Sequence, residues 1–86
     1  MANKIEAQAQ ALAQSAQGMQ KRLLLACTDR LPEFPRLYEA DPRYGEGVRR
    51  IGTVGQNVLY EVDDQEQIVR VLAVVGQRQN PRRIKG

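Results

Sequence analysis

The spacing of apolar residues changes to a period of two after Gly47, and this pattern constrains the fold of the chain more than any other feature. Two such runs, Val48–Val54 and Asn57–Val62, have the period of two that is typical of strands with one buried face. Gly55-Gln56 separates them, and glycine at the first central position favours a two-residue type II′ turn. The sequence therefore predicts an antiparallel hairpin over residues 48–62.

The predicted turn also defines a register for the hairpin. It places Arg50 opposite Glu61, as an oppositely charged pair on neighbouring strands, and Ile51 opposite Tyr60. One face of the hairpin is the more apolar, and we expect that face to meet the rest of the core. Its residues are Ile51, Thr53, Val58, Tyr60 and Val62.

A third strand is predicted at Ile68–Val75. This run is almost continuously apolar, which is typical of a strand that lies centrally or is covered on both faces. The polar stretch Asp63–Glu66 before it predicts a turn. Residues 48–76 are thus expected to form a three-stranded antiparallel meander, followed by a polar, basic tail over residues 77–86.

The pattern over residues 3–31 predicts helix. Asn3 and Glu6 have the spacing of a capping box, which satisfies exposed amides at a helix start. Apolar residues then recur in steps of four and three, as on one face of a helix. Gly18 weakens the helix interior and leaves two alternatives open, a helical hairpin or one long helix. Pro32 ends the region, because the residue before a proline disfavours the helical conformation.

A connector rich in proline and glycine spans residues 32–47, and we expect one short helical turn in it at Leu37–Ala40. It has more apolar surface than a disordered linker, so it should pack along the body of the protein. Residues 1–86 are therefore predicted to form one α+β domain. In it, an N-terminal helical hairpin or long helix packs on a three-stranded antiparallel sheet.

Several chemistries are excluded by composition. The chain has no histidine, which removes His-based catalytic triads. Cys27 is the only cysteine and lies in an apolar run, a setting more typical of a packed side chain than of a nucleophile. One cysteine with scattered carboxylates lacks the ligand spacing of a transition-metal site. We therefore expect neither a metal nor another cofactor.

The sequence also argues against a membrane partner. No apolar stretch approaches the roughly 20 residues that a membrane-spanning helix needs. The N-terminus lacks the apolar core of a signal peptide. We expect a cytoplasmic protein.

Arginines are the candidate functional residues. The net charge is +3, and the basic excess lies in the second half of the chain. Guanidinium groups suit the recognition of phosphates and carboxylates, so the excess favours an acidic partner. Arg49, Arg50 and Arg78, at strands and strand ends, are the predicted target-binding residues. No residue is predicted to be catalytic, because isolated carboxylates such as Glu46 and Glu61 usually have structural or solvated roles.

Four segments, in the same order, resemble the RelE/ParE toxins of type II toxin–antitoxin pairs. Arg30–Arg36, with the sequence RLPEFPR, resembles the exit from the second helix of that family. Gly45–Ile51, GEGVRRI, resembles the entry to its sheet, and Val58–Asp63, VLYEVD, resembles its central strand. Val71–Pro81 resembles its closing segment.

This resemblance implies a strand, then a helical hairpin, then an antiparallel meander with the helices on one face. No counterpart of the first strand is visible before Asn3, so we expect a sheet with an incomplete edge, which a partner could complete. The resemblance also implies an antitoxin protein as partner and a role in plasmid stabilisation.

The closing segment separates the branches of the family. Leu72 and Val75 stand where the family often has arginine and histidine, Gln77 replaces the first arginine of a pair, and only Arg78 is retained. These differences favour the ParE-like branch, which inhibits DNA gyrase without cleaving RNA. Two alternatives stay open: a RelE-like, ribosome-dependent mRNA endoribonuclease, and an inactive relative that only binds its antitoxin.

Overall fold

Four strands form one mixed sheet in a computed structural model that describes residues 3–8 and 29–84. Their spatial order is β1-β4-β3-β2; β1 runs parallel to β4, and the other neighbours are antiparallel. The three C-terminal strands are the predicted meander. The strands are β1 (Lys4–Ala7), β2 (Arg49–Gly52), β3 (Gln56–Asp63) and β4 (Ile68–Gly76).

The first strand corrects two predictions, that helix begins at Asn3 and that the sheet lacks its first strand. Ile5 lies opposite Val69 of β4, and the amides of Lys4 and Gln8 donate to the carbonyls of Gln67 and Val71 at 2.9 Å. The predicted capping box is wrong as well, because the Asn3 amide donates to the carbonyl of Pro32 at 2.7 Å. Pairing with a distant strand overrides the local helical pattern here.

The predicted α+β layout is wrong for the part of the chain that the structure describes. That part contains no α-helix, only a short 3-10 helix at Pro42–Tyr44. Residues 29–31, expected at the end of the helical region, form turns. The sheet has four strands with one parallel pair, where a three-stranded antiparallel sheet was predicted. The rest of the predicted helical region, with the question of a hairpin at Gly18, lies outside the described residues.

The hairpin of β2 and β3 forms as predicted, but its register differs by two residues. Ile51 pairs with Val58, and the Thr53 amide donates to the Gln56 carbonyl at 2.9 Å. The two central residues of the turn are therefore Val54 and Gly55. Gly55 has φ 78°, the left-handed conformation that a type II turn requires at its second central position. The predicted turn had placed this glycine at the first central position.

The shift in register removes the predicted pair of Arg50 and Glu61. Arg50 lies opposite Leu59, and Glu61 lies opposite Arg70 of β4. Arg70 donates from Nη1 to Glu61 Oε1 at 3.2 Å. Because the shift is an even number of residues, every side chain of the hairpin keeps its predicted face.

β4 lies centrally between β1 and β3, as its apolar sequence predicted. Its pairing with β3 shifts between Leu59 and Tyr60, which leaves Leu72 as the extra residue of a β-bulge. Ala73 is the partner of Leu59, and Leu72 packs beside it in the same buried cluster. The bulge therefore adds a large apolar side chain to that face of the sheet.

Buried side chains cover both faces of the sheet. The first face carries Ile51, Val58, Tyr60, Val69, Val71 and Val74, against which Leu31 packs. The second face carries Leu59, Leu72 and Ala73, against which Tyr44 and Val48 pack. No helix in the described residues is long and apolar enough to cross a membrane.

The connector packs along the body, as expected, and contributes to both faces. Tyr60 on the first face donates its hydroxyl to the Pro35 carbonyl at 2.9 Å, and burial raises the pKa of this tyrosine. The Asp41 amide donates to the Val48 carbonyl at 2.7 Å, which brings the connector alongside β2. The predicted helical turn at Leu37–Ala40 is wrong, since the helical turn begins at Pro42.

Candidate functional site

A groove of about 430 Å³ opens on the second face of the sheet. It lies where the short helix at Pro42–Tyr44, the neighbouring strands β2 and β3, and the basic tail come together. We call it the arginine groove, because three guanidinium groups line it and no carboxylate does. Its lining residues are Arg43, Tyr44, Arg50, Asn57, Gln77, Arg78, Gln79, Asn80 and Pro81.

The structure brings two of the three predicted arginines together and separates the third. Arg50 and Arg78 both line the groove. Arg49 points to the opposite face, because neighbouring residues of a strand alternate between faces. Its Nη1 donates to the Tyr38 carbonyl at 2.6 Å, so this guanidinium holds the connector.

Asp41 orients two of the groove arginines. Its carboxylate accepts from Arg43 through Nε at 2.9 Å and Nη2 at 2.7 Å, a two-pronged contact. Arg50 Nε lies 3.2 Å from the Oδ2 atom of the same carboxylate. Hydrogen bonds from Arg43 hold the pKa of Asp41 below its ordinary value despite the burial of this side chain. One buried carboxylate thus fixes two guanidinium groups that are still partly exposed to solvent.

Sequence reasoning missed Asp41 and Arg43, although a signal for them was present. Asp41 is the N-cap of the short helix, its side chain accepts from the Arg43 amide, and Pro42 follows at the first position. Aspartate before proline is a frequent way to start a helical turn. That pattern would have placed the carboxylate near Arg43, but not near Arg50 on another element.

The tail is attached to the groove at both ends. Gln77 Nε2 donates to the Thr53 carbonyl at 2.6 Å and lies 3.1 Å from the Gln56 carbonyl. At the other end, the Ile84 amide donates to the Tyr44 carbonyl at 2.8 Å, and Ile84 packs against the buried cluster of the second face. Between these two attachments, Gln77–Pro81 form one wall of the groove.

The carboxylates considered as acids or bases in the sequence lie elsewhere. Glu61 forms an ion pair with Arg70. The guanidinium of Arg70 also lies near two other carboxylates, with Nε 3.5 Å from Glu6 Oε1 and Nη2 3.7 Å from Asp63 Oδ2. Glu46 is exposed and does not line the groove. Within the described ranges, no three potential metal ligands cluster closely enough to hold an ion. The described lining of the groove thus presents guanidinium groups and no carboxylate.

The sequence of the chain matches a known protein family along almost its whole length. The family model is described as "ParE toxin of type II toxin-antitoxin system, parDE" and matches residues 1–81. The chain belongs to the RelE/ParE superfamily of type II toxins. The match includes the four strands of the described residues and the whole groove lining given above. Among curated proteins, none matches the toxin.

Solved structures of related toxins share the fold. The Mycobacterium tuberculosis RelBE2 toxin–antitoxin complex matches with a TM-score of 0.72 at 16% identity, over 90% of this toxin and 100% of that chain. A double arginine-to-alanine mutant of free Escherichia coli RelE matches with a TM-score of 0.70 at 20% identity, over 91% and 86%. The intact E. coli RelBE complex matches with a TM-score of 0.70 at 19% identity, over 91% of this toxin and 100% of that chain.

Proposed function

We propose that this toxin inhibits DNA gyrase by binding through the arginine groove, without cleaving RNA, and that a cognate antitoxin protein neutralises it. The ParE description of the matching family supports the choice of target. Two of the similar solved structures are toxin–antitoxin complexes, which supports an antitoxin partner.

The observation that carries this proposal is the charge arrangement of the groove. Three guanidinium groups line it, and the nearest carboxylate, Asp41, is bound by two of them. Permanently charged guanidinium groups can bind phosphates or carboxylates of a target, and their planar shape gives orientation as well as attraction. Such a set of guanidinium groups is suited to binding an anionic target.

RNA cleavage would need more than charge. A phosphodiester transfer requires a proton acceptor, a proton donor and stabilisation of charge around one phosphate. Arginine supplies only the last, because it stays protonated over the usable pH range. The lowered pKa of Asp41 makes this carboxylate a weak base, and its oxygens already accept hydrogen bonds from Arg43.

The alternative is a RelE-like, ribosome-dependent mRNA endoribonuclease. The same guanidinium groups would suit an RNA phosphate, and Tyr44 supplies a hydroxyl-bearing side chain in the lining of the groove. Under this alternative, Arg78 would contact the scissile phosphate instead of a gyrase surface.

Parallel assays of the purified toxin separate these functions. One measures supercoiling by DNA gyrase, and the other measures cleavage of mRNA on programmed ribosomes. We expect inhibition of supercoiling, weakened by Arg78→Ala, and intact mRNA. Arg36→Ala is the matched control, since it removes the same charge from an exposed site outside the groove.

Codon-specific mRNA cleavage that Arg78→Ala abolishes would instead establish the endoribonuclease. Antitoxin binding with neither activity would establish the inactive relative.

A further inference from the structure

Arg78 differs from the other two groove arginines in how it is held. Arg43 and Arg50 are fixed by the carboxylate of Asp41. Within residues 3–8 and 29–84, no carboxylate forms an ion pair with Arg78, whose side chain is exposed. The position of Arg78 must therefore come from the backbone that carries it, and that backbone begins at Gln77.

Gln77 makes its hydrogen bonds to the turn between β2 and β3 and to the first residues of β3, where Asn57 Oδ1 lies 3.4 Å from Gln77 Nε2. Its backbone amide donates to the Gly55 carbonyl at 3.1 Å, at the point where the pairing of β3 and β4 ends. Its carboxamide has two hydrogens, and carbonyls of Thr53 and Gln56 lie at 2.6 and 3.1 Å from the nitrogen. The side chain thus fastens the start of the tail to the turn between β2 and β3.

This attachment also lies beside Arg50. A Cβ atom built on Gly52 would lie 3.7 Å from Arg50 Nη1 and 3.9 Å from Gln77 Nε2. The guanidinium of Arg50 and the carboxamide of Gln77 therefore flank the same point on β2. The start of the wall that carries Arg78 therefore lies close to the part of the sheet that carries Arg50.

We propose that Gln77 is a positioning residue, whose carboxamide holds Arg78 in place beside Arg50 so that both contact the anionic groups of one ligand. This proposal rests on the binding role of the groove proposed above. The glutamine adds no charge to the groove, and its carboxamide acts on the position of the wall that carries Arg78.

Gln77→Met tests the role of the carboxamide. Methionine keeps the length and neutrality of the side chain and removes both donors, while the backbone bond to Gly55 remains possible. Gln79→Met is the matched control, because Gln79 also lines the groove but no hydrogen bond of its side chain to the turn is present in the described residues. Thermal unfolding of each variant verifies that it is folded.

The measurement is fluorescence anisotropy with labelled octathymidylate, used as a phosphate-backbone probe over a range of salt concentrations. We expect Gln77→Met and Arg78→Ala each to weaken binding by about fivefold to tenfold. In the double variant, binding should be no weaker than in Arg78→Ala alone, because residues that act through one another are not additive. The plot of the logarithm of the association constant against the logarithm of the salt concentration has a negative slope. Its magnitude should decrease by about 0.7 in each single variant, as for one lost phosphate contact.

Three results would overturn the proposal: unchanged binding by Gln77→Met, additive effects in the double variant, or no binding of the probe by the wild-type toxin at low salt. The gyrase assay gives a separate answer. A toxin that shows the expected non-additivity but leaves gyrase active would refute the proposed target and keep the role of Gln77.

Discussion

The carboxylate of Asp41, at the start of a short helix in the connector, lies 3.2 Å from Nε of Arg50 on β2. This ion pair joins the connector to β2, two elements for which the sequence pattern predicted no contact through these residues. Because the same carboxylate also binds Arg43, it determines how two of the three charges face the arginine groove.

Replacing this carboxylate by an amide should reduce both stability and binding. Asp41→Asn keeps the shape of the side chain but removes the charge that Arg43 and Arg50 share. We expect a loss of about 1 kcal/mol in the free energy of unfolding from the weaker hydrogen bonds to Arg43 and Arg50, because asparagine caps a helix about as well as aspartate does. Chemical denaturation measures it. Asp64→Asn is the control, since its pair with Arg36 is exposed on both sides and should contribute less.

The effect of Asp41 should depend on pH in a defined direction. Hydrogen bonds from Arg43 hold its pKa below the ordinary value of 3.8. A carboxylate with a lowered pKa in the folded state contributes stability that is present above the unfolded value and lost as the pH falls through the folded value. The stability difference between wild type and Asp41→Asn should therefore be constant from neutral pH to about 4 and shrink below it. A difference that grows on acidification would contradict the ion pair.

Two glycines near the hairpin turn should respond differently to alanine. Gly55 has φ 78° and open space around its missing Cβ, so Gly55→Ala adds only backbone strain. We expect it to destabilise the protein by about 1 kcal/mol. Gly52 lacks a positive φ, and a methyl group there would make ordinary contacts, so Gly52→Ala should leave stability nearly unchanged. Equal losses in thermal unfolding experiments would contradict the turn geometry.

Local sequence patterns predicted the meander. They predicted helix for the residues of β1, which form a strand because they pair with β4. The patterned runs Val48–Val54, Asn57–Val62 and Ile68–Val75 are six to eight residues long, so the strands within them could be predicted from sequence. Lys4–Ala7 is only four residues long, and its apolar positions also fit a helical stripe. Only its pairing with β4, distant in sequence, makes it a strand.

The candidate site was predictable to the extent that charge is visible in sequence. Arg50 and Arg78 were identified because arginines at strand ends suit anionic partners. Asp41, Arg43 and Gln77 were not, since their contribution depends on contacts between the connector, the turn and the tail. Register was the other failure: Gly55 can supply a positive φ at either central position of a turn, and the difference moves the partner of Arg50 by two residues.

Dose–response curves for inhibition of gyrase supercoiling test the central claim most directly. Wild type, Arg50→Ala, Arg78→Ala and the control Arg36→Ala should be compared at one salt concentration. We predict inhibition by wild type and Arg36→Ala at similar doses, and a dose about tenfold higher for each groove variant, since loss of a charged contact costs about that much affinity. Inhibition that is equally strong in all four proteins would contradict a role for the arginine groove in target binding.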